Sequence, residues 1–229
     1  MPRSAGANGS RPSLIELVGP AGAGKSTLML ALTEHDTRLT RGPSVWSRPR
    51  LDLARSTLAV APVVAGALRH GQFPHPRELA QMLRLDALRR EVDRLAHDGR
   101  VRLVDEGPVF ALSWLDVFYG RGDPWFRRWR ERAVRDWSAR LLAVIRLDAD
   151  DVVLVRRIRT RAQPHPVKHT SDGEIFGFTA RYRRAFDRVI GDLRAMAPVA
   201  VVNLRTDEYR AAQAAARAQG VLEEALHGH

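Results

Sequence analysis

Several kinds of residue are scarce or missing in this chain, and each shortage closes off some chemistry. None of the 229 residues is cysteine, which excludes disulfides, thiolate metal sites and a cysteine nucleophile. Lysine occurs only at Lys25 and Lys168, although lysine and arginine together number 37. Long apolar runs are missing too. The longest, Leu58–Leu68, is about half of what a membrane span needs and contains Pro62, so no membrane partner is expected. Met1–Ser13 is rich in Gly, Ser, Arg and Pro with no apolar signal core, and reads as a flexible tail. These features fit a cytoplasmic protein. No histidine spacing suggests a structural zinc site.

What is present supports a folded domain. A hydrophobic fraction of 45% is enough for a core, and residues 14–229 read as one α/β domain. The net charge of +11 invites comparison with nucleic-acid binders. The excess is almost all arginine, spread over helical segments and not gathered in one tail. It implies a positive field suited to polyanionic substrates, and a nucleic-acid partner is not expected.

One of the two lysines stands in "ELVGPAGAGKSTLMLALTEH", Glu16–His35. Gly19, four residues, then Gly24-Lys25-Ser26 form the phosphate-cradling pattern G-x-x-x-x-G-K-[ST], between the apolar strand Leu14–Val18 and an apolar helix. With lysine so rare, a chance match anywhere in the chain is roughly one in a thousand. Each part has a physical reason. Gly22 and Gly24 let successive amides of the Gly22–Thr27 backbone, Ala23 included, point at one anion, and the helix N-terminus adds partial positive charge. Lys25 brings a compact ammonium to the outer phosphates, and the Ser26 hydroxyl is placed to ligate Mg²⁺.

Apolar runs at Leu14–Val18, Ser44–Trp46, Val101–Asp105, Leu142–Leu147 and Val199–Leu204 read as strands. Helical patterns fill Lys25–His35, Asp52–His70, Pro76–His97, Pro124–Leu141, Asp151–Ala162, Thr179–Met196 and Asp207–His227. Asp123-Pro124 and Thr206-Asp207-Glu208 carry helix-start signals. The alternation predicts a three-layer P-loop NTPase fold with a five-stranded, mostly parallel sheet.

The strand in "VRLVDEGP" ends in Asp105-Glu106. In P-loop folds a carboxylate there lies beside Mg²⁺ and the γ-phosphate. Two chemistries fit: hydrolysis, with Asp105 on the metal and Glu106 activating water, or phosphoryl transfer, with a carboxylate acting toward an acceptor hydroxyl. The segment that favours transfer is "IRLDADDVVLVRRIRTRAQPHPVKHTSDGEIFGFTARYRRAFD", where Arg157 and Arg161 are four apart and would share a helical face ahead of a polar loop. A mobile arginine lid excludes water and clamps the transferring group.

From Leu14 to Thr206 the chain resembles, in order and spacing, the nucleoside and nucleoside-monophosphate kinases, thymidylate kinase in particular. "LDADDVVLVRRIRTR" resembles the family's arginine helix after strand four, which implies an adenine-stacking role for Arg157 and a phosphate contact for Arg161. "WSRPR" is similar to its arginine-proline turn after strand two, implying an acceptor contact at Arg48. The resemblance further implies ATP as donor, Mg²⁺ held by Ser26 and Asp105, an acceptor region about 48–98, and a lid about 156–182; it is compatible with a homodimer. There are departures. Where thymidylate kinases have Asp-Arg-Tyr and deoxynucleoside kinases Glu-Arg-Ser, this chain has Asp105-Glu106-Gly107, an acid in the arginine's place. That leaves room for an uncharged or cationic hydroxyl acceptor.

Trp125, Trp129 and Trp137 recur at helical spacing and read as a packing stripe, whereas Trp114, Phe118 and Tyr119 are candidates for a pocket wall. The sequence thus points to a P-loop kinase for a small-molecule acceptor, a nucleoside or nucleotide ahead of other hydroxyl metabolites. The alternative is an ATPase or switch acting on a macromolecule; the guanine-reading Asn/Thr-Lys-x-Asp motif and the transporter Ser-Gly-Gly signature are missing.

Overall fold

Every residue of Leu14–Val18 (β1) is buried, as befits a strand covered on both faces. The computed structural model describes residues 13–46, 56–120 and 122–227; the N-terminal tail before Ser13 and Arg48 lie outside them. β1 pairs in parallel with Val101–Val104 (β3) on one side and Leu141–Asp148 (β4) on the other. Leu39–Arg41 (β2) extends the sheet beyond β3, and Ala200–Arg205 (β5) beyond β4. The order is β2-β3-β1-β4-β5 and every pairing is parallel.

The period-two alternation of β1 divides the core. Leu14 and Val18 join one apolar cluster with Leu112 of the helix Pro108–Tyr119 (α4), Trp129 of Pro124–Ser138 (α5) and Phe186 of Asp172–Met196 (α7). Ile15 and Leu17 join the other with Leu28 and Leu32 of Lys25–His35 (α1) and Ala218 of Ala211–His227 (α8). Each such fully buried side chain contributes about 1.5–3 kcal/mol. Thr57–Arg69 (α2) and Pro76–Leu95 (α3) complete the α4 side, and Asp151–Thr160 (α6) follows β4. Trp125, Trp129 and Trp137 are buried, as the stripe implied. Among the described residues no helix is long and apolar enough to cross a membrane.

Several elements differ from the sequence expectation. The second strand is Leu39–Arg41 and not Ser44–Trp46; it has one buried apolar residue and so no run to detect. Val45 and Trp46 form a turn, pinned by the Val45 amide donating to the Glu106 carbonyl at 3.0 Å. The stretch Pro108–Tyr119 is a helix whose Pro108 occupies the first turn, where a missing N–H costs nothing. α7 starts at Asp172, seven residues before Thr179, because Ser171 and Glu174 form a capping box. α6 stops at Thr160, leaving Arg161 extended at φ −64°, ψ 143°. The last helix starts at Ala211; Asp207 instead accepts from the Asp150 amide at 2.9 Å, at the start of α6.

Candidate active site

The turns leaving the carboxyl ends of β1, β3, β4 and β5 converge at one edge of the sheet, where the strand order reverses around β1. Ligands of open parallel sheets bind at such an edge. A cleft of about 870 Å³ opens there, lined by the phosphate loop, Asp105, Glu106, Arg157, Arg161 and a set of aromatic rings.

The loop end is built mainly from backbone. Gly22 and Gly24 sit at φ 82° and 85°, angles that other residues rarely adopt. Gly24 caps α1 with no side-chain hydrogen bond, and the first turn carries no acid. The amides there remain oriented toward an anion in the cleft. Ala23 is buried beneath the loop, its amide bonded to Pro20 O at 3.1 Å. Ser26 and Thr27 are exposed to the cleft. Lys25 Nζ donates to the carbonyls of Gly19 (2.8 Å) and Pro20 (3.2 Å). Burial pulls its pKa down to about 8, against the upward pull of Asp105 and Glu106.

Beyond Lys25, Glu106 is fixed twice, its carbonyl by Val45 and its Oε2 by the Ser44 hydroxyl at 3.1 Å. Burial raises its pKa, and the Asp105 charge adds to the shift. Asp105 faces the same cleft. Ser26 and Asp105 thus line one space. This is a donor set of the kind Mg²⁺ uses, one or two protein oxygens completed by phosphate and water. Among the described residues no group of three or more His, Cys, Asp or Glu could hold a metal ion by itself.

Glu16 was read only as part of an apolar strand, and the structure gives it a larger part. Fully buried on the α4 side of β1, it accepts the amides of Gly107 (3.0 Å), Val109 (2.7 Å) and Phe110 (2.9 Å). The N-terminus of α4 is therefore occupied by a carboxyl from the neighbouring strand. Burial pushes that carboxyl up to about 8 despite the three amides. A Cβ at Gly107 would lie 2.8 Å from the Glu16 carboxyl carbon, which explains why the residue after Glu106 has no side chain. The one sequence signal is an acid amid the apolar residues of β1.

Arg157 donates to Gly22 O (3.1 Å), Thr206 Oγ1 (2.9 Å) and Thr206 O (3.1 Å). It ties the phosphate loop to the turn after β5, with its guanidinium on the cleft wall. Arg161 lines the cleft as well, but from beyond the helix end, so the shared helical face is not what brings the two together. Arg161 donates to Gln163 Oε1 at 2.8 Å, and its carbonyl accepts from Lys168 at 2.6 Å. Arg183 forks onto Asp148 and reaches Asp151, locking α7 to the end of β4. Arg89 and Arg90 pair with Asp86 within α3.

At the far end, Trp114 and Phe118 line the cleft, joined by Trp46, Phe110 and Tyr182. Tyr119 turns away, its hydroxyl 3.2 Å from His75 Nδ1. His165 lines the lid side against Phe178; burial lowers its pKa, and the charges of Arg161 and Lys25 lower it further.

No protein-family model and no curated protein matches the sequence. Solved structures do match in fold. A deoxyadenosine kinase from M. mycoides with bound dCTP aligns at TM-score 0.55 and 14% identity, over 92% of this chain and 99% of that one. The same kinase with dCMP and dCDP aligns at TM-score 0.53 and 15% identity, again over 92% and 99%. The chain has the α/β fold of the P-loop nucleoside kinases.

Proposed function

We propose that this protein is an ATP- and Mg²⁺-dependent kinase that transfers the γ-phosphoryl group to the hydroxyl of a small-molecule acceptor. One observation carries the reading. A single cleft of about 870 Å³ joins a phosphate loop with a lysine, a pair of carboxylates facing that lysine, and a wall of aromatic rings, with room for an acceptor.

In this reading the amides of Gly22 and Gly24–Thr27, with the Lys25 ammonium, hold the β- and γ-phosphates, the expected Ala23 amide being taken by Pro20 O, while Arg157 flanks the base near Thr206 and Tyr209. Ser26 and Asp105 would hold Mg²⁺, which neutralises charge between the outer phosphates. The Asp105–Glu106 pair orients the acceptor, and one of its two carboxylates takes the hydroxyl proton. The acceptor oxygen forms the new bond to Pγ as the bond to the bridging oxygen breaks, and ADP leaves with the electron pair. Arg161 closes from the lid segment, about 156–182, over the transferring group. Most of the rate gain is positioning and charge stabilisation. The acceptor region about 48–98, including the contact expected of Arg48, belongs to the proposal.

The test is ADP release from Mg-ATP with and without pools of nucleosides, nucleoside monophosphates and hydroxyl metabolites, with Lys25→Ala as the blank. A several-fold rise with one pool supports the kinase. Release that is equal in all pools and lost in the blank overturns it in favour of an ATPase.

A further inference from the structure

The aromatic part of the cleft has a chemistry of its own. Five rings follow one another around it: Trp46 to Phe110 (centroids 6.3 Å apart), to Tyr182 (6.4 Å), to Phe118 (6.4 Å), to Trp114 (5.2 Å), and back to Trp46 (6.5 Å). Three of them, Phe110, Trp114 and Phe118, recur every fourth residue on α4 and so share one face. Each of the five lines the cleft. Phe118 and Trp46 keep 49% and 42% of their surface exposed, a large apolar exposure for residues with no interior role.

Among the described residues, the charge that lines the cleft lies at the other end. Among the described residues the cationic side chains on the cleft are Lys25, Arg157 and Arg161, all at the phosphate loop or the lid. Arg84 and Arg181 lie against ring faces of Trp46 and Phe178 but do not line the cleft. Among the described residues no cation lines the collar to meet an anionic acceptor. A cationic one would meet Arg161 and Lys25 at the inner end. Polar handles among the described collar residues are the Tyr182 hydroxyl and the indole N–H groups of Trp46 and Trp114, with His165 also on the cleft. A nucleobase edge buried there would leave donors or acceptors unpaired, each costing roughly tenfold in affinity.

Resting on the kinase reading above, we infer that the acceptor is an uncharged alcohol with a flat, largely apolar ring body. The collar grips the ring edge-to-face and face-to-face, and the hydroxyl points at Asp105 and Glu106.

A matched set of probes tests this on the full chain: 2-naphthalenemethanol, 2-naphthoic acid, 2-naphthylmethylamine and thymidine. Binding is followed by ligand-observed NMR in the presence of Mg-ADP, and phosphoryl transfer by ADP release from Mg-ATP. The expected result is that the neutral alcohol binds at least tenfold tighter than the acid, the amine and thymidine. Phe118→Ser, at an exposed position that leaves the fold intact, should cut that binding about tenfold and leave ADP binding unchanged. Equal binding of all four, preference for a charged probe or for thymidine, or no effect of Phe118→Ser would overturn the inference. The kinase reading is judged separately. If Mg-ATP binds and ADP release rises with thymidine or a nucleotide alone, the kinase stands and this acceptor class falls. If nothing stimulates release while the alcohol still binds, the collar stands and the kinase falls.

Discussion

At the phosphate end of the cleft the polar groups come from backbone amides and carbonyls, drawn tight by Lys25 and by the three hydrogen bonds of Arg157. At the far end the wall is side chain, a collar of rings carried by a turn, α4 and α7. The difference matches what each end has to recognise. In the proposed function, phosphate is the same in every nucleotide, so a rigid main-chain nest would serve it, whereas the acceptor is particular, and ring shape would select it. Glu16 connects the two. It sits on the strand that feeds the phosphate loop and holds the first turn of the helix that carries three of the rings.

The largest effect should come from removing the charge at the phosphate end. Lys25→Ala is expected to lower the phosphoryl-transfer rate by about 10²–10³-fold, the scale of losing one preorganised group aimed at developing charge. Stability should not fall. The lysine's pKa is depressed on folding, so its stabilising contribution is present above about 10.5 and lost as pH falls through about 8. At neutral pH the charged form opposes folding of the unliganded chain. A rate assay beside a thermal melt separates the two, and a variant that retains its rate would show that the phosphates lie elsewhere.

Glu16→Ala attacks the connection between the ends. It would leave three amides buried without an acceptor, a loss of about 3 kcal/mol, which lowers the melting midpoint by roughly 6–12 °C in a chain of this size. Glu16→Gln adds a pH test. A carboxyl raised on folding stabilises fully below its ordinary value of 4.5 and loses that contribution as pH rises through about 8. The wild type should therefore lose stability relative to Glu16→Gln between those limits. A flat difference across that range would mean the amides hold Glu16 ionised throughout.

The contrast between the ends also decides what could be read beforehand. The phosphate loop was legible because glycines and a rare lysine at fixed spacing have one common use, and strands β1, β3, β4 and β5 showed as apolar runs. The collar was only partly legible. Trp114 and Phe118 stood out, but Trp46 lies 64 residues from Phe110, and the helix that lines up Phe110, Trp114 and Phe118 is apolar on most sides and shows no amphipathic stripe. β2, at three residues, was too short to register. The roles of Glu16 and Arg183 are not legible in the sequence because their partners, Gly107–Phe110 and Asp148, are brought to them only by the fold.

A pH titration sharpens the comparison from the phosphate side alone. Below about pH 8 Lys25 is charged in the free protein, and bound phosphate raises its pKa. Above that pH, binding must first supply the proton, so affinity for ATP should fall by up to tenfold per pH unit until the bound form titrates. Binding of the neutral alcohol at the collar should not follow this slope. Calorimetry of both ligands from pH 7 to 10 checks it, with Lys25→Met flattening the ATP curve. Parallel curves would mean the two ends are not electrostatically separate.

The smallest expected effect concerns Arg157, which braces the phosphate loop against the turn after β5. Arg157→Lys keeps the charge but loses the planar fork, and one ammonium does not reach Gly22 O, Thr206 Oγ1 and Thr206 O in the guanidinium's geometry. If the arginine's contribution is to hold the loop and flank the base, KM for ATP should rise about three- to tenfold, with little change in kcat and none in binding of the acceptor probe. A fall in kcat at unchanged KM would move Arg157 from bracing the nucleotide to stabilising the transferring group, and the phosphate end would then reach further toward the collar than its bonding in the free protein implies.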